Sequence, residues 1–192
     1  MSEPYRPIPY RVVLVCLGNI CRSPMAEAVL RDRVEAAGLA DRVSVESAGT
    51  AGYHVGSGAD PRARTALAAR GYDGSAHRAR QFGPDWFERA DLVLALDEAN
   101  LADLATLDRT AQRTGSLRLL RSYDPDAARG GDLEVPDPYY GGDEGFDHVL
   151  DLVERAADGL VAELAAALGP AGAGGGPPDG RRPTGRRPDS GR

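Results

Sequence analysis

Apolar and polar positions along this chain switch repeatedly between continuous runs and helical spacing. Tyr10 to Val15 is mostly apolar, the pattern of a strand covered on both faces. Met25, Ala28, Val29 and Val34 then recur with charges between them, which predicts an amphipathic helix over Met25 to Ala37, closed by Gly38. Val43 to Ser47 is a short β-branched strand, followed by a Gly-rich loop through Gly58. Asp60-Pro61 opens a second helix, with Asp as N-cap and Pro in the first turn, that runs to about Arg70 and stops at Gly71. Asp91 to Leu96 and Leu117 to Leu120 complete the strands. Glu98 to Leu107 and the long Ala/Leu/Val stretch from Gly145 to Leu168, closed by Gly169-Pro170, complete the helices. This order predicts an α/β fold of three layers, α/β/α, around a central four-stranded parallel sheet. Arg121 to Glu144 is predicted to be one long irregular loop, of a length that compact domains keep when it serves a site.

At 192 residues the chain is long enough for one domain with a proper core. The predicted organisation is an N-terminal extension over residues 1–9, a folded domain over 10–168, and a Gly/Pro/Arg-rich tail over 169–192. The tail has too few apolar side chains to pack and is expected to be disordered, with Arg181, Arg182, Arg186, Arg187 and Arg192 either solvated or touching an acidic partner. A net charge of −6 argues against nucleic acid as a partner. Two cysteines make no disulfide framework, so a reducing interior is the default compartment. No apolar run approaches a membrane span, and Met1 to Tyr5 lacks the build of a signal peptide. A cytoplasmic location is therefore expected, with export without a signal peptide left open.

The candidate chemistry lies where the first strand ends. Cys16 follows the strand directly, Arg22 comes after a five-residue loop, and Ser23-Pro24 begin a helix, Ser as a capping residue. A loop closing on a phosphate-sized anion brings Cys16 and Arg22 to it together. The loop N–H groups and the helix N-terminus favour an anion there and a thiolate over a thiol at Cys16. In parallel sheets ligands bind outside the carboxyl ends of strands, which is where this loop sits. A nucleophile beside an arginine fork is a signature of phosphate-ester chemistry. Such chemistry needs a general acid, and Val135-Pro136-Asp137-Pro138-Tyr139-Tyr140 in the long loop offers Asp137, stiffly presented between prolines, with Tyr139 and Tyr140 to wall an aromatic ring. Alone, that Asp-Pro would be an ordinary turn starter. A Walker A loop is excluded because the chain contains no lysine. A metal site is not expected: Cys16 and Cys21 are the only cysteines, and the three histidines follow no zinc spacing. No cofactor is implied.

Cys16-Leu17-Gly18-Asn19-Ile20-Cys21-Arg22-Ser23-Pro24 and Asp137-Pro138-Tyr139-Tyr140 together resemble the low-molecular-weight protein tyrosine phosphatases, as found in bacteria. Ser47-Ala48-Gly49-Thr50, Asp60-Pro61-Arg62, His77-Arg78-Ala79-Arg80 and Ala95-Leu96-Asp97-Glu98 are similar to that family's landmarks, in order, so the resemblance spans about Tyr10 to Leu168. It implies hydrolysis of phosphotyrosine in proteins or peptides through a phosphocysteine at Cys16. Arg22 and the backbone N–H groups of Leu17, Gly18, Asn19, Ile20, Cys21 and Arg22 would hold the phosphoryl oxygens, and Asp137 would serve as acid and then base. It further implies that Ser23 donates to the cysteine sulfur, that Asn19 is left-handed, and that Ser47 and His77 brace the loop. Tyr53 would join Tyr139 and Tyr140 beside the substrate ring. The resemblance also implies that Cys16 pairs with Cys21 under oxidation and that Tyr139 or Tyr140 is a target of a tyrosine kinase.

Three other readings compete. Protein arginine phosphatases on this fold carry Thr where this chain has Ile20 and lack the paired tyrosines after the acid. Arsenate reductases on the fold need further downstream cysteines, and none follows Cys21. A non-catalytic phosphate-binding module would normally have lost Cys16, Arg22 or Asp137.

Overall fold

The computed structural model describes residues 9–108 and 116–169 of the chain. The expected extension and tail lie outside these residues, apart from Pro9 and Gly169. Four strands, β1 (Tyr10–Cys16), β2 (Val43–Gly49), β3 (Leu92–Ala95) and β4 (Leu117–Leu119), form one sheet in the order β2-β1-β3-β4. Every pairing is parallel, as the alternation of strands and helices predicts. β1 lies inside the sheet, buried on both faces from Val12 to Cys16, which is why its sequence is a continuous apolar run.

The period of two along β1 sends its side chains into two separate cores. Val12, Leu14 and Cys16 pack with residues of α1 (Arg22–Ala36), α2 (Pro61–Ala69) and α6 (Asp143–Leu168). Val13 and Val15 pack on the opposite face, against α3 (Pro84–Arg89) and α4 (Glu98–Leu107). The molecule is thus the three-layer sandwich that the sequence predicts. α6 approaches the segment after β4 so closely that a Cβ at Gly159 would lie 1.9 Å from the Tyr123 carbonyl oxygen, which leaves no room for any other residue there.

Two parts of the expected layout need correction. Arg121 to Glu144 is not irregular throughout. A 3-10 turn (Leu120–Tyr123) leads into α5 (Pro125–Gly130), whose N-cap Asp124 accepts hydrogen bonds from the N–H groups of Asp126 and Ala127 and whose chain leaves through Gly131 at φ 77°. α3 was not foreseen either: at six residues, Pro84 to Arg89 is too short for its Trp86 and Phe87 to display a period. No helix among the described residues is long and apolar enough to cross a membrane.

Candidate active site

β1 delivers Cys16 to the carboxyl edge of the sheet, and the chain turns at once through Leu17 to Cys21 into the N-terminus of α1. Backbone bonds fix this loop from the side. Thr50 N–H donates to Cys16 O at 2.9 Å, Ala51 N–H to Leu17 O at 2.9 Å, and Asp60 N–H to Ile20 O at 2.8 Å. The segment after β2 must therefore run close beneath the loop. A Cβ at Gly49 would sit 2.6 Å from Leu17 O, which accounts for the glycine in Ser47-Ala48-Gly49-Thr50.

Asn19 has φ 54°, the one left-handed non-glycine among the described residues. That conformation costs an L-residue roughly 1–2 kcal/mol. Its side chain offsets the cost: Nδ2 donates to Ser23 Oγ at 2.8 Å and to Ser47 Oγ at 2.9 Å, and Oδ1 accepts from Arg80 N–H at 2.8 Å. Each such bond contributes about 1 kcal/mol net. The Asn19 carbonyl accepts from His77 Nε2 at 2.7 Å, so Nε2 carries a proton and Nδ1 faces Glu27, 3.7 Å from Oε2. Glu27 also accepts from Ser47 Oγ, and its other oxygen pairs with Arg31 at 2.6 Å. Burial pushes the Glu27 carboxyl up, but the neighbouring His77, the hydrogen bond from Ser47 and the charge of Arg31 outweigh it and leave the group below the usual glutamate range.

Ser23 is not the N-cap that its sequence position suggests. α1 begins at Arg22 with Cys21 as N-cap and no side-chain cap. Fully buried Ser23 instead turns inward, its Oγ 3.1 Å from Cys16 Sγ and 3.3 Å from the Ala48 carbonyl oxygen. Asn19 N–H also donates to Cys16 Sγ, at 3.3 Å. The sulfur thus lies among hydrogen-bonding groups.

Arg22 is buried at 3% exposure and reaches three acceptors. Nη1 donates to Asp97 Oδ2 at 2.5 Å and to Val135 O at 3.1 Å, and Nη2 donates to Asp137 Oδ2 at 2.9 Å. The long segment after α5 is thereby brought across the sheet edge to the loop. The result is a cleft of about 260 Å³, into which Cys16, Arg22 and Asp137 open together. It is also lined by Leu17, Gly18, Ile20, Cys21, Tyr53, Tyr139 and Tyr140. Asn19, Ser23, Ser47 and His77 stand behind the loop and do not line the cleft. Every site residue read from the sequence is therefore gathered at this one place, in two tiers. Cys21 is buried, and burial, with the charge of Asp60 next, pushes its thiol up to about 12.

Sequence reasoning missed three contributors. Asp97 holds Arg22, Glu27 holds Ser47 and His77, and His54 lines the cleft beside Gly18, where a Cβ would come 3.0 Å from His54 Cδ2. Asp97 stood in a recognised landmark without a role. Glu27 lies between apolar positions of α1, where a charge ordinarily points to solvent, yet it is 6% exposed.

Residues 11–168 match the profile of the low molecular weight phosphotyrosine protein phosphatases. The chain belongs to that family. This phosphatase is 59% identical over 155 residues to a low molecular weight protein-tyrosine-phosphatase of Streptomyces coelicolor, a match covering 81% of this chain and 93% of that one. Among solved structures it is similar to a protein tyrosine phosphatase of Entamoeba histolytica, crystallised with Hepes in its active site, at a TM-score of 0.77 and 33% identity, covering 83% of this chain and 99% of that one. It is also similar to a Drosophila arginine phosphatase, at a TM-score of 0.70 and 31% identity, covering 80% and 96% of the two chains. The resemblance, fold and enzyme class read from the sequence all stand: the protein is a protein tyrosine phosphatase.

Proposed function

We propose that this phosphatase removes phosphate from tyrosine-phosphorylated proteins or peptides in two steps, with Cys16, Arg22 and Asp137 as the reacting groups. The Cys16 sulfur attacks phosphorus in line with the tyrosine oxygen, the P–O bond to the ring breaks, and Asp137 gives its proton to the departing phenolate. Arg22 and the backbone N–H groups of Leu17, Gly18, Ile20, Cys21 and Arg22 hold the equatorial oxygens, where charge spreads in the transition state, while Asn19 N–H is engaged by the Cys16 sulfur. Asp137, now a carboxylate, takes a proton from a water that attacks the phosphocysteine. The P–S bond breaks, inorganic phosphate leaves, and the thiolate returns. Ser23 and Asn19 N–H stabilise that thiolate each time it forms. Ser47 and His77 keep Asn19, and so the loop, in shape.

The observation that supports this reading is the opening of Cys16, Arg22 and Asp137 into one cleft that Tyr53, Tyr139 and Tyr140 also line. Tyr53 and Tyr140 are 80% and 95% exposed, as rings waiting to stack on a flat aromatic group would be. Ile20 and the Tyr139-Tyr140 pair favour phosphotyrosine over phosphoarginine, the reading raised by the arginine phosphatase neighbour. Two free cysteines in the site fit a reducing, cytoplasmic setting, in which peroxide would link Cys16 to Cys21 reversibly. The exposure of Tyr140 also suits it to modification by a tyrosine kinase. Hydrolysis of matched phosphotyrosine, phosphoserine and phosphoarginine peptides tests the assignment. Phosphotyrosine is expected to be preferred, and a preference for phosphoarginine overturns the reading.

A further inference from the structure

The Asp60-Pro61-Arg62 triplet, a landmark in the sequence, takes no part in the chemistry derived above, yet it ties together the two segments on which that chemistry depends. Asp60 caps α2 by accepting from Arg62 N–H at 2.8 Å, while its own N–H donates to Ile20 O in the cysteine loop at 2.8 Å. The Arg62 guanidinium forks onto the same carboxylate, Nε to Oδ1 at 3.1 Å and Nη2 to Oδ2 at 3.0 Å. Its remaining hydrogens point the other way, Nη2 to the Tyr139 carbonyl at 3.1 Å and Nη1 to the Gly141 carbonyl at 3.3 Å. The flat face of the group covers the rings of Phe146 and Tyr139, at 4.8 and 5.7 Å from their centroids.

The segment reached by Arg62 needs such a strut. On its N-terminal side the acid-bearing segment is fixed: Val135 is fully buried, its N–H donates to Leu96 O at 2.7 Å, and Arg121 holds the Glu134 carbonyl at 2.6 Å. Beyond buried Pro138, residues 139–144 are all exposed, so burial does not hold them. Tyr139 N–H in turn donates to Asp137 Oδ1 at 3.1 Å, so a shift of this exposed turn reaches the acid, and misplacing a reacting group by ~1 Å costs about a hundredfold in rate.

We propose that Arg62 is a positioning residue of this phosphatase: with Asp60 it forms a bridge from the cysteine loop to the Tyr139–Gly141 turn, and so sets where Asp137 stands relative to Cys16. The proposal rests on the reading of Asp137 as general acid. A lysine would keep the charge on Asp60 but could not span two carbonyls and a carboxylate at once.

The test compares wild type, Arg62→Met, Arg62→Lys and Asp137→Ala on aryl phosphates whose leaving phenols run from strongly acidic to tyrosine-like. The parameter is kcat/KM, which reports steps through formation of the phosphocysteine. Arg62→Met is expected to lose about tenfold on the tyrosine-like substrate, part of what ~1 Å of misplacement costs. On the most acidic phenol, which leaves without a proton, it should lose less than about twofold. Arg62→Lys should fall between wild type and Arg62→Met, and it carries the same comparison if Arg62→Met does not fold. Adding Arg62→Met to Asp137→Ala should cost little more, since both act on one proton transfer. A loss equal across all phenols, or one fully additive with Asp137→Ala, overturns the bridge. If Asp137→Ala depends on the leaving group and Arg62→Met does not, the bridge alone fails. If Asp137→Ala itself shows no such dependence, the acid assignment fails and the bridge falls with it.

Discussion

Arg22 Nη2 donates to Asp137 Oδ2 at 2.9 Å, so the group read as phosphate clamp and the group read as acid are hydrogen-bonded partners. Nη1 is engaged separately, by Asp97 and the Val135 carbonyl, so a phosphoryl oxygen that approaches Nη2 meets Asp137 there. Asp137→Ala should then have two opposite effects. Turnover of tyrosine-like substrates should fall by roughly 10²–10⁴, the range for one positioned acid. Competitive inhibition by inorganic phosphate should tighten a few-fold, the size of a half-exposed ion pair at ~1 kcal/mol, because a competitor for Nη2 is gone. Steady-state inhibition by phosphate in both proteins checks this. Weaker inhibition in the variant would mean that Asp137 helps to bind the anion rather than competing with it.

Asp97 can be tested without disturbing α4. Its Oδ1 caps that helix by accepting from Asn100 N–H at 2.6 Å, while Oδ2 pairs with Arg22. Asparagine caps as well as aspartate, so Asp97→Asn removes the charge from the pair and keeps the cap. Arg22 is buried, and losing a charged hydrogen-bond partner there is expected to cost about 2 kcal/mol of stability. The loosened guanidinium should lower kcat/KM by about ten- to a hundredfold. Thermal unfolding and kinetics on one substrate measure both. A stable variant with full kcat/KM would show that Val135 O and Asp137 suffice to orient Arg22.

What was legible in the chain follows from the range over which each signal acts. The strand-loop-helix unit around Cys16 is local, and Val12 to Pro24 carries its own periodicity, turn and helix start. Asp60-Pro61 announced α2 by the cap-then-proline rule. The same rule, applied to Asp124-Pro125, finds α5, which hydrophobic periodicity alone does not reveal because its six residues bury only Ala127. Asp97 and Glu27 were illegible for a different reason. Their roles depend on Arg22 and on His77 with Ser47, partners far away in sequence that only the closed sheet brings near. Ser23 shows the converse: a residue suited to capping was drawn inward by Cys16, Asn19 and Ala48.

Glu27 supplies a pH signature. Its carboxyl lies below the ordinary glutamate value of 4.5 in the folded protein, so the unfolded chain binds a proton before the folded one does. The stabilisation is therefore complete above 4.5 and is lost as pH falls through the depressed folded value. Glu27→Gln should be less stable than wild type at neutral pH by about 1–3 kcal/mol, the worth of hydrogen bonds to a buried charge. Urea unfolding at a series of pH values should show that difference shrinking below pH 4.5. A difference constant into the acid range would assign the role of Glu27 to shape rather than charge.

Cys21 is where burial and redox chemistry can be separated. As a packing residue it would be a small apolar group without reactivity, and its thiol, pushed up to about 12 by burial first and the charge of Asp60 next, is a poor nucleophile at neutral pH. Iodoacetamide at pH 7 should accordingly label Cys16 and spare Cys21, as peptide mass analysis would report. Oxidation asks something different of it. Peroxide converts the Cys16 thiolate to a sulfenic acid, an electrophile that needs no strong nucleophile if one lies in the same cleft, as Cys21 does. The Cys21 sulfur attacks the Cys16 sulfur, the S–O bond breaks, the Cys21 proton leaves with the oxygen as water, and a disulfide forms. Wild type inactivated by peroxide should therefore show no retained oxygen in its intact mass and recover with dithiothreitol. Cys21→Ser should still turn over before treatment, because Cys21 gives the phosphate only its backbone N–H. After peroxide, Cys16 in that variant should advance to sulfinic acid, which dithiothreitol does not reduce. Equal recovery of the two proteins would leave Cys21 with packing alone.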